Sequence, residues 1–440
     1  MNGLGKCVQS KGVETVVSSA FGISILIFVV TYVVIMTEKW SRTTVALVGG
    51  ILMVLTGLIT QQEAITHFID FNTLGLLIGM MIIVAVVKRT GMFEAFAIWA
   101  VKVTKGRSAQ LLLMFTFLTA IAAAFLNAVT AVLLIAPITI SLTKFLKINA
   151  MPFLMMEVLA SNIGGTGTMV GDPPNVMIGS AVGLTFMDFV TNTGPLAVIV
   201  LLALVPVMML IYRKQLKHEP FKQELLDKLD SKKQISDWKL FYRSLAIMIL
   251  TVFGFAIHHY VGLETATIAM TGAIAIIVMT GESPDEALGE VDWGSIFFFL
   301  GLFMLVGGIE STGVITWVAQ WAVTQTQGNI EMTASLILWI SALASAFIDN
   351  IPFTATMIPL IKEMEVMMGI NLDTLWWALS IGACYGGNGT VIGSSPNVII
   401  AALAAQNGYD MSFKKYFIIG FPVMIFTIIL GHLYIAFRYF

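Results

Sequence analysis

Charge is scarce in this sequence. Asp, Glu, Lys and Arg together make up 11% of its 440 residues while 58% are hydrophobic, against roughly a quarter charged in soluble domains. A soluble fold cannot hide so much apolar surface, so the missing charge points to lipid as the solvent. Cysteine is nearly absent too, with only Cys7 and Cys384. One lies in the polar N-terminus and the other far down the chain, which excludes a disulfide scaffold, a redox pair and a cysteine zinc site. The net charge of −2 leaves no basic surface for nucleic acid. Gly165-x-Gly167 follows no strand and precedes no Gly-Lys-Ser/Thr, so it is not a nucleotide loop. Neither a cofactor nor a metal is expected, and no motif carries catalysis: the chain does not read as an enzyme.

Long apolar runs are abundant instead. Phe21 to Met36, Ala46 to Ile59 and Leu196 to Tyr212 each approach the roughly 20 residues that a helix needs to cross a bilayer core about 30 Å thick. The fold class is therefore an all-α polytopic membrane protein of about 10 transmembrane helices. The first run reads as a mature helix, because its flank carries little charge and shows no small-residue cleavage pattern.

The chain repeats itself. Gly164 to Val176 reads GGTGTMVGDPPNV and Gly386 to Val398 reads GGNGTVIGSSPNV. Laying Gly164 on Gly386, an offset of 222, also lays Thr168 on Thr390 and Asn175 on Asn397, and carries Phe125-Leu126-Asn127 onto Phe347-Ile348-Asp349 and Pro137 onto Pro359. The first half is 13–212, with spans near 16–36, 43–60, 72–88 and 189–212, a surface segment at 92–103, a re-entrant hairpin at 109–146 and a broken helix at 152–182. A charged linker follows at 213–243. The second half is 244–440, with spans near 244–260, 265–280, 295–309 and 415–437, a surface segment at 312–325, a hairpin at 331–366 and a broken helix at 374–405. Each half has five crossings, an odd number, so the second must lie upside down: an inverted repeat. Sorted by side, 20 of the 24 Lys and Arg fall with the linker. The positive-inside rule places that linker in the cytoplasm and both termini outside, in the inner (plasma) membrane of a cell.

Breaking a membrane helix frees backbone groups, a liability in hydrocarbon unless they meet an ion or a substrate. Two broken helices, each beside a hairpin whose tip carries Asn127 or Asp349-Asn350, read as one binding site. Its substrate-binding candidates are Asn127, Thr130, Gly165, Thr168, Asn175, Asn350, Gly387, Asn388, Thr390 and Asn397. Acids in the membrane are expensive, about 2.5 to 3.5 kcal/mol each on insertion scales. Asp172, Asp349 and Glu157 are therefore candidates for carrying a proton or another cation. Asp70 and Asp292 repeat at the start of equivalent helices and read as N-caps. His258-His259 reads as interfacial rather than as a metal pair, Met151 to Met156 as packing, and Cys384 as a small core residue.

At these residues the chain resembles the ion transporter superfamily, and the resemblance covers about residues 16 to 437. Phe125 to Leu134, the loop Val170-Gly171-Asp172-Pro173-Pro174-Asn175-Val176 and the run Ala346-Phe347-Ile348-Asp349-Asn350 look like its arsenite-permease and P-protein branch. Ser395-Pro396-Asn397 is similar to the sodium–dicarboxylate branch, but that branch's Ser-Asn-Thr hairpin tips are absent. The resemblance implies a secondary transporter with an elevator-type motion, often dimeric. It favours proton-coupled efflux of arsenite or antimonite as the neutral hydroxide. Sodium-coupled transport of an anion or carboxylate, or sodium/proton exchange, is the alternative. Protons or sodium, the lipid bilayer, a second copy of the chain and a cytoplasmic ATPase subunit are the partners it admits.

Overall fold

A computed structural model describes residues 11–37, 39–105, 107–216, 234–235, 237–281, 283–369 and 372–440. Cys7 and most of the linker lie outside them. The helices of ten or more residues, in chain order, are α1 (Lys11–Met36), α2 (Arg42–Leu55), α3 (Phe71–Arg89), α4 (Met92–Val103), α5 (Ser108–Leu126), α6 (Ala128–Phe145), α7 (Met151–Thr166), α8 (Pro173–Val182) and α9 (Gly194–Ile211). After the linker come α10 (Trp238–Val261), α11 (Thr265–Thr280), α12 (Trp293–Ser311), α13 (Val314–Thr326), α14 (Ile330–Ser345), α15 (Asn350–Met368), α16 (Asp373–Gly386), α17 (Ser395–Gln406) and α18 (Phe413–Tyr439). Among the described residues there is no strand, eight helices are long and apolar enough to cross a membrane, and four shorter helices are apolar.

Helix starts obey the sequence offset. Phe71, Met92, Ser108, Ala128, Met151 and Pro173 open α3 to α8, and Trp293, Val314, Ile330, Asn350, Asp373 and Ser395, 222 residues on in each case, open α12 to α17. The break in the first hairpin is a single residue. Asn127, with φ of 83°, ends α5 and starts α6. Its arms of 19 and 18 residues are longer than half-helices, reaching about 27 Å at 1.5 Å per residue. Pro137 and Pro359 sit inside helices without ending them. The linker is shorter than its polarity suggests, because Asp237 accepts hydrogen bonds from the backbone N–H of Lys239 and Leu240 and so starts α10 at Trp238.

The chain forms two compact units, each assembled from both halves of the sequence. The first comprises Met1–Asp70, Trp293–Gly328 and Ile358–Asn371. In it α2 lies along α12 on a glycine seam, where a Cβ on Gly50 would stand 2.6 Å from the carbonyl oxygen of Gly301. Met53, Leu305, Ile309 and Ile315 fill its core.

The second unit comprises Phe71–Asp292, Asn329–Met357 and Leu372–Phe440. Here α11 lies along α3, with Gly79 pressed on Ala269. By the offset, α3 and α11 are the counterparts of α12 and α2, so the same pairing occurs in each unit. At the centre of the second unit, α5 packs on α7 and α14 on α16. Gly164 admits the first contact, since a Cβ there would meet the Ala120 carbonyl oxygen at 2.2 Å, and Gly386 the second, against Ala342 at 2.6 Å. From Pro152 to Gly179 every residue is buried. Met155 and Met156 belong to that core, as packing requires.

Candidate functional site

Both broken helices are held open in the same way. Gly164, Gly165 and the glycines that follow let α7 stop at Thr166, and Pro173-Pro174, suited to the first helical positions, set where α8 begins. Between them, the Asn175 side chain folds back and donates from Nδ2 to the carbonyl oxygens of Thr168 (2.9 Å), Thr166 (3.1 Å) and Gly165 (3.4 Å). In the second loop, Asn397 Nδ2 donates to the carbonyls of Gly387 (2.6 Å) and Thr390 (2.7 Å). These are the carbonyls that a broken helix leaves without partners. Thr168 Oγ1 donates to the Ala124 carbonyl of the first hairpin, and Thr390 Oγ1 to the Ala346 carbonyl of the second. Thr168, Thr390, Asn175, Asn397, Gly165 and Gly387 thus stand together as parts of the two loops, fully buried or nearly so.

The residues that open α8 and α17 break this symmetry. Asp172 and Ser394 hold the N-cap positions, yet neither side chain caps its own helix. Asp172 instead receives Nδ2 of Asn350, at 3.3 and 3.4 Å to its two oxygens. The first loop thereby reaches the tip of the second hairpin. Ser394 donates to Oδ1 of Asn162 in α7 at 3.1 Å, so the second loop reaches the first half.

At the tips, Asn127 Oδ1 accepts from the Val129 N–H at 2.8 Å and Asp349 Oδ1 from the Ile351 N–H at 3.1 Å. Each starts its own helix. Asp349 also takes Ser395 Oγ on Oδ2 at 2.9 Å. Asp172 and Asp349, which the sequence puts on different elements of different halves, therefore both engage the Asp349-Asn350 tip.

Three sequence candidates stand apart from this cluster. Asn127 is half-buried and serves its own hairpin. Thr130 is half-buried in the first turn of α6, and among the described residues no hydrogen bond joins it to the loops. Glu157 lies in the middle of α7, 1% exposed, accepting a hydrogen bond from Thr139 Oγ1 of α6, while its Oε2 has no hydrogen-bond partner among the described residues.

Ser380 and Asn162, which sequence reasoning passed over, and Cys384, read there as a small core residue and buried as such, complete the site. Ser380 Oγ donates to Asn175 Oδ1 at 2.6 Å, and Cys384 Sγ lies 3.8 Å from the same atom. Asn162 donates from Nδ2 to Oδ1 of both Asn388 (3.0 Å) and Asn397 (3.1 Å). The offset would have found one of these: Asn162 falls on Cys384, so the last turns of α7 and α16 each reach the other half's loop.

The electrostatics are lopsided. Among the described residues the only fully buried charged side chains are the acids Glu157 and Asp172, and no Lys or Arg is buried. Arg89 pairs with Glu286 and Glu290, and Lys415 with Asp410, at positions that are at least partly exposed. No cluster of His, Cys, Asp and Glu suited to a metal occurs among the described residues. His258 contacts the Leu263 carbonyl at the end of α10.

A family profile described as Citrate transporter matches residues 32–382. An uncharacterized transporter of Mycobacterium tuberculosis (strain H37Rv) is 40% identical over 423 residues, 95% of this chain and 98% of the relative. The human P protein is 33% identical over 491 residues, 92% of this chain but 58% of that longer protein. The fold is shared with the Alcanivorax borkumensis YdaH transporter, at a TM-score of 0.63 and 13% identity over 96% of this chain and 99% of that one. It is shared too with Neisseria gonorrhoeae MtrF, at 0.58 and 11% over 95% and 94%. Two broken helices, two hairpins and a match over most of the length make this chain a membrane transporter of the citrate transporter family, within the ion transporter superfamily and akin to the P protein.

Proposed function

We propose that the chain is a proton-coupled secondary transporter whose substrate sits between the two loops and whose coupling proton is carried by Asp172 and Asp349. The observation that carries this reading is the buried acid with no buried cation: Asp172 is 3% exposed and meets the Asn350 amide, while no Lys or Arg is buried among the described residues. A buried carboxylate without a cationic partner is costly unless it alternates between charged and neutral forms or binds a cation. Glu157, buried beside Thr139, is the third candidate carrier.

The same observation bears on substrate. Amides and hydroxyls without a basic partner suit a small neutral oxygen compound, and arsenite or antimonite as the hydroxide fits that description, exported against entering protons. A multiply charged anion is ordinarily met by Arg or Lys. Alternating access would come from an elevator-type movement of the loops and hairpins. A homodimer and a cytoplasmic ATPase subunit on the 213–243 linker remain partners that the fold admits. The family profile's description favours a second reading, cation-coupled carboxylate transport with citrate as the test compound.

Purified protein in proteoliposomes, given arsenite, antimonite or citrate under separately imposed proton and sodium gradients, discriminates the two. Arsenite flux driven by protons alone supports the first reading. Citrate flux requiring sodium replaces it with the second.

A further inference from the structure

The carboxamides at the junction of the two loops can each be oriented in only one way, and the last of them is left with a donor and nothing to donate to. Backbone carbonyls only accept, so Asn397 must turn Nδ2 to those of Gly387 and Thr390 and present Oδ1 on its other side. That oxygen faces Asn162, which must therefore offer Nδ2 to it. On Asn162's other side, Oδ1 then accepts from Ser394 Oγ, a hydroxyl that suits this orientation. The Asn162 nitrogen also faces Asn388, which must answer with Oδ1. Asn388 Nδ2 then points away from the relay. It is fully buried and has no hydrogen-bond partner among the described residues.

Nothing comparable closes the first loop. Asn162 corresponds to Cys384, whose thiol lies 3.8 Å from Asn175 Oδ1 in place of an amide. Asn388 corresponds to Thr166, whose hydroxyl is satisfied within its own helix by the Asn162 carbonyl at 2.7 Å. Among the described residues, the open amide donor belongs to the second loop and not to the first. A buried amide left without an acceptor costs roughly 1–3 kcal/mol, and a substrate oxygen would recover that cost on binding.

We infer that Asn388 is a substrate-specificity residue held as an obligate hydrogen-bond donor by Asn162. The substrate group that meets it is an acceptor oxygen of an oxyacid or carboxylate, not a coupling cation. Asn162 acts as a positioning residue: it touches Asn388 and Asn397, and its loss frees the Asn388 amide to turn over. This rests on the reading of the loops as the substrate site.

The test is ligand-dependent thermal stabilisation of the full chain in nanodiscs at constant ionic strength, with arsenite, antimonite, citrate and sodium chloride as probes. It compares wild type, Asn388→Asp, which keeps the shape but removes the donor, and Asn162→Cys, which copies the residue of the other repeat. Wild type should respond to at least one of the three oxygen compounds. Asn388→Asp should weaken that response about tenfold or more, and Asn162→Cys should weaken it without adding a charge. Both should keep the wild-type response to sodium and the unliganded melting temperature within a few degrees. Undiminished affinity for the oxygen compound in Asn388→Asp overturns the inference, as does a change confined to the sodium response, which would make Asn388 a cation ligand. Undiminished affinity in Asn162→Cys removes the positioning role. A wild type silent to all three oxygen compounds contradicts the proposed function itself, and the inference falls with it.

Discussion

Asp172 stands at the N-cap of α8 and leaves the cap unused, turning its carboxylate to the Asn350 amide of the second hairpin. An N-cap aspartate that served its own helix would be worth about 1 kcal/mol, so replacing it would be felt mainly as lost stability. Asp172 is placed for something else. Asp172→Asn keeps the shape and removes the ionisable group. It is expected to abolish proton-driven flux while leaving the melting temperature near wild type, and a proteoliposome assay beside a melting curve checks both. Asp349→Asn should likewise uncouple transport from the proton gradient. It will be milder in one respect: the Asn side chain can still cap Ile351 N–H as Asn127 caps Val129 N–H in the first hairpin, so hairpin stability should be retained.

Among the elements, the tightest constraint is the packing of α7 on α5. Gly164 brings its backbone so close to Ala120 that a Cβ would stand 2.2 Å from a carbonyl oxygen. Backbone cannot yield as a flexible side chain would, so Gly164→Ala should cost about 1–3 kcal/mol, read as a lower melting temperature, with transport lost as the first loop shifts. Thr168→Val and Thr390→Val each remove the hydroxyl that ties a loop to a hairpin carbonyl. Each should cost about 1–3 kcal/mol, because a carbonyl, part-buried at Ala124 and buried at Ala346, is left unpaired, and the pair should act alike if the two loops are equivalent. Much of this was legible in the sequence. The broken helices followed from Gly and Pro spacing, and a single offset predicted which positions correspond. The cross-half contacts were not legible, because an offset says which residues are equivalent but not which ones touch. Asn162 sits in an apolar helix with nothing around it to mark it, and Asn350, a substrate-binding candidate from its place at the hairpin tip, carries no sign in the sequence that Asp172 is its partner. Thr130, promoted by its place near a hairpin tip, faces no loop partner, because helical geometry decides which side a first-turn residue takes.

At the scale of the whole molecule, compact units and sequence halves are different divisions. Each unit draws on both halves, pairing α2 with α12 in one and α3 with α11 in the other. A duplicated sequence whose copies exchange partners suits an inverted repeat, since each copy supplies the counterpart that the other lacks. The orientation deduced from Lys and Arg is open to direct test. With both natural cysteines replaced by serine, Phe440→Cys should react with a membrane-impermeant maleimide in intact cells, and Lys228→Cys in the linker should react only after the membrane is opened. The reverse pattern would invert the topology. The central claim, that buried acids couple the movement of a small oxygen compound to protons, is tested most directly by arsenite flux in proteoliposomes under an imposed pH gradient with sodium absent. Wild type is predicted to move arsenite against its gradient when protons flow the other way, and Asp172→Asn to lose that drive. Arsenite movement indifferent to the pH gradient, or equal in the two proteins, would contradict it.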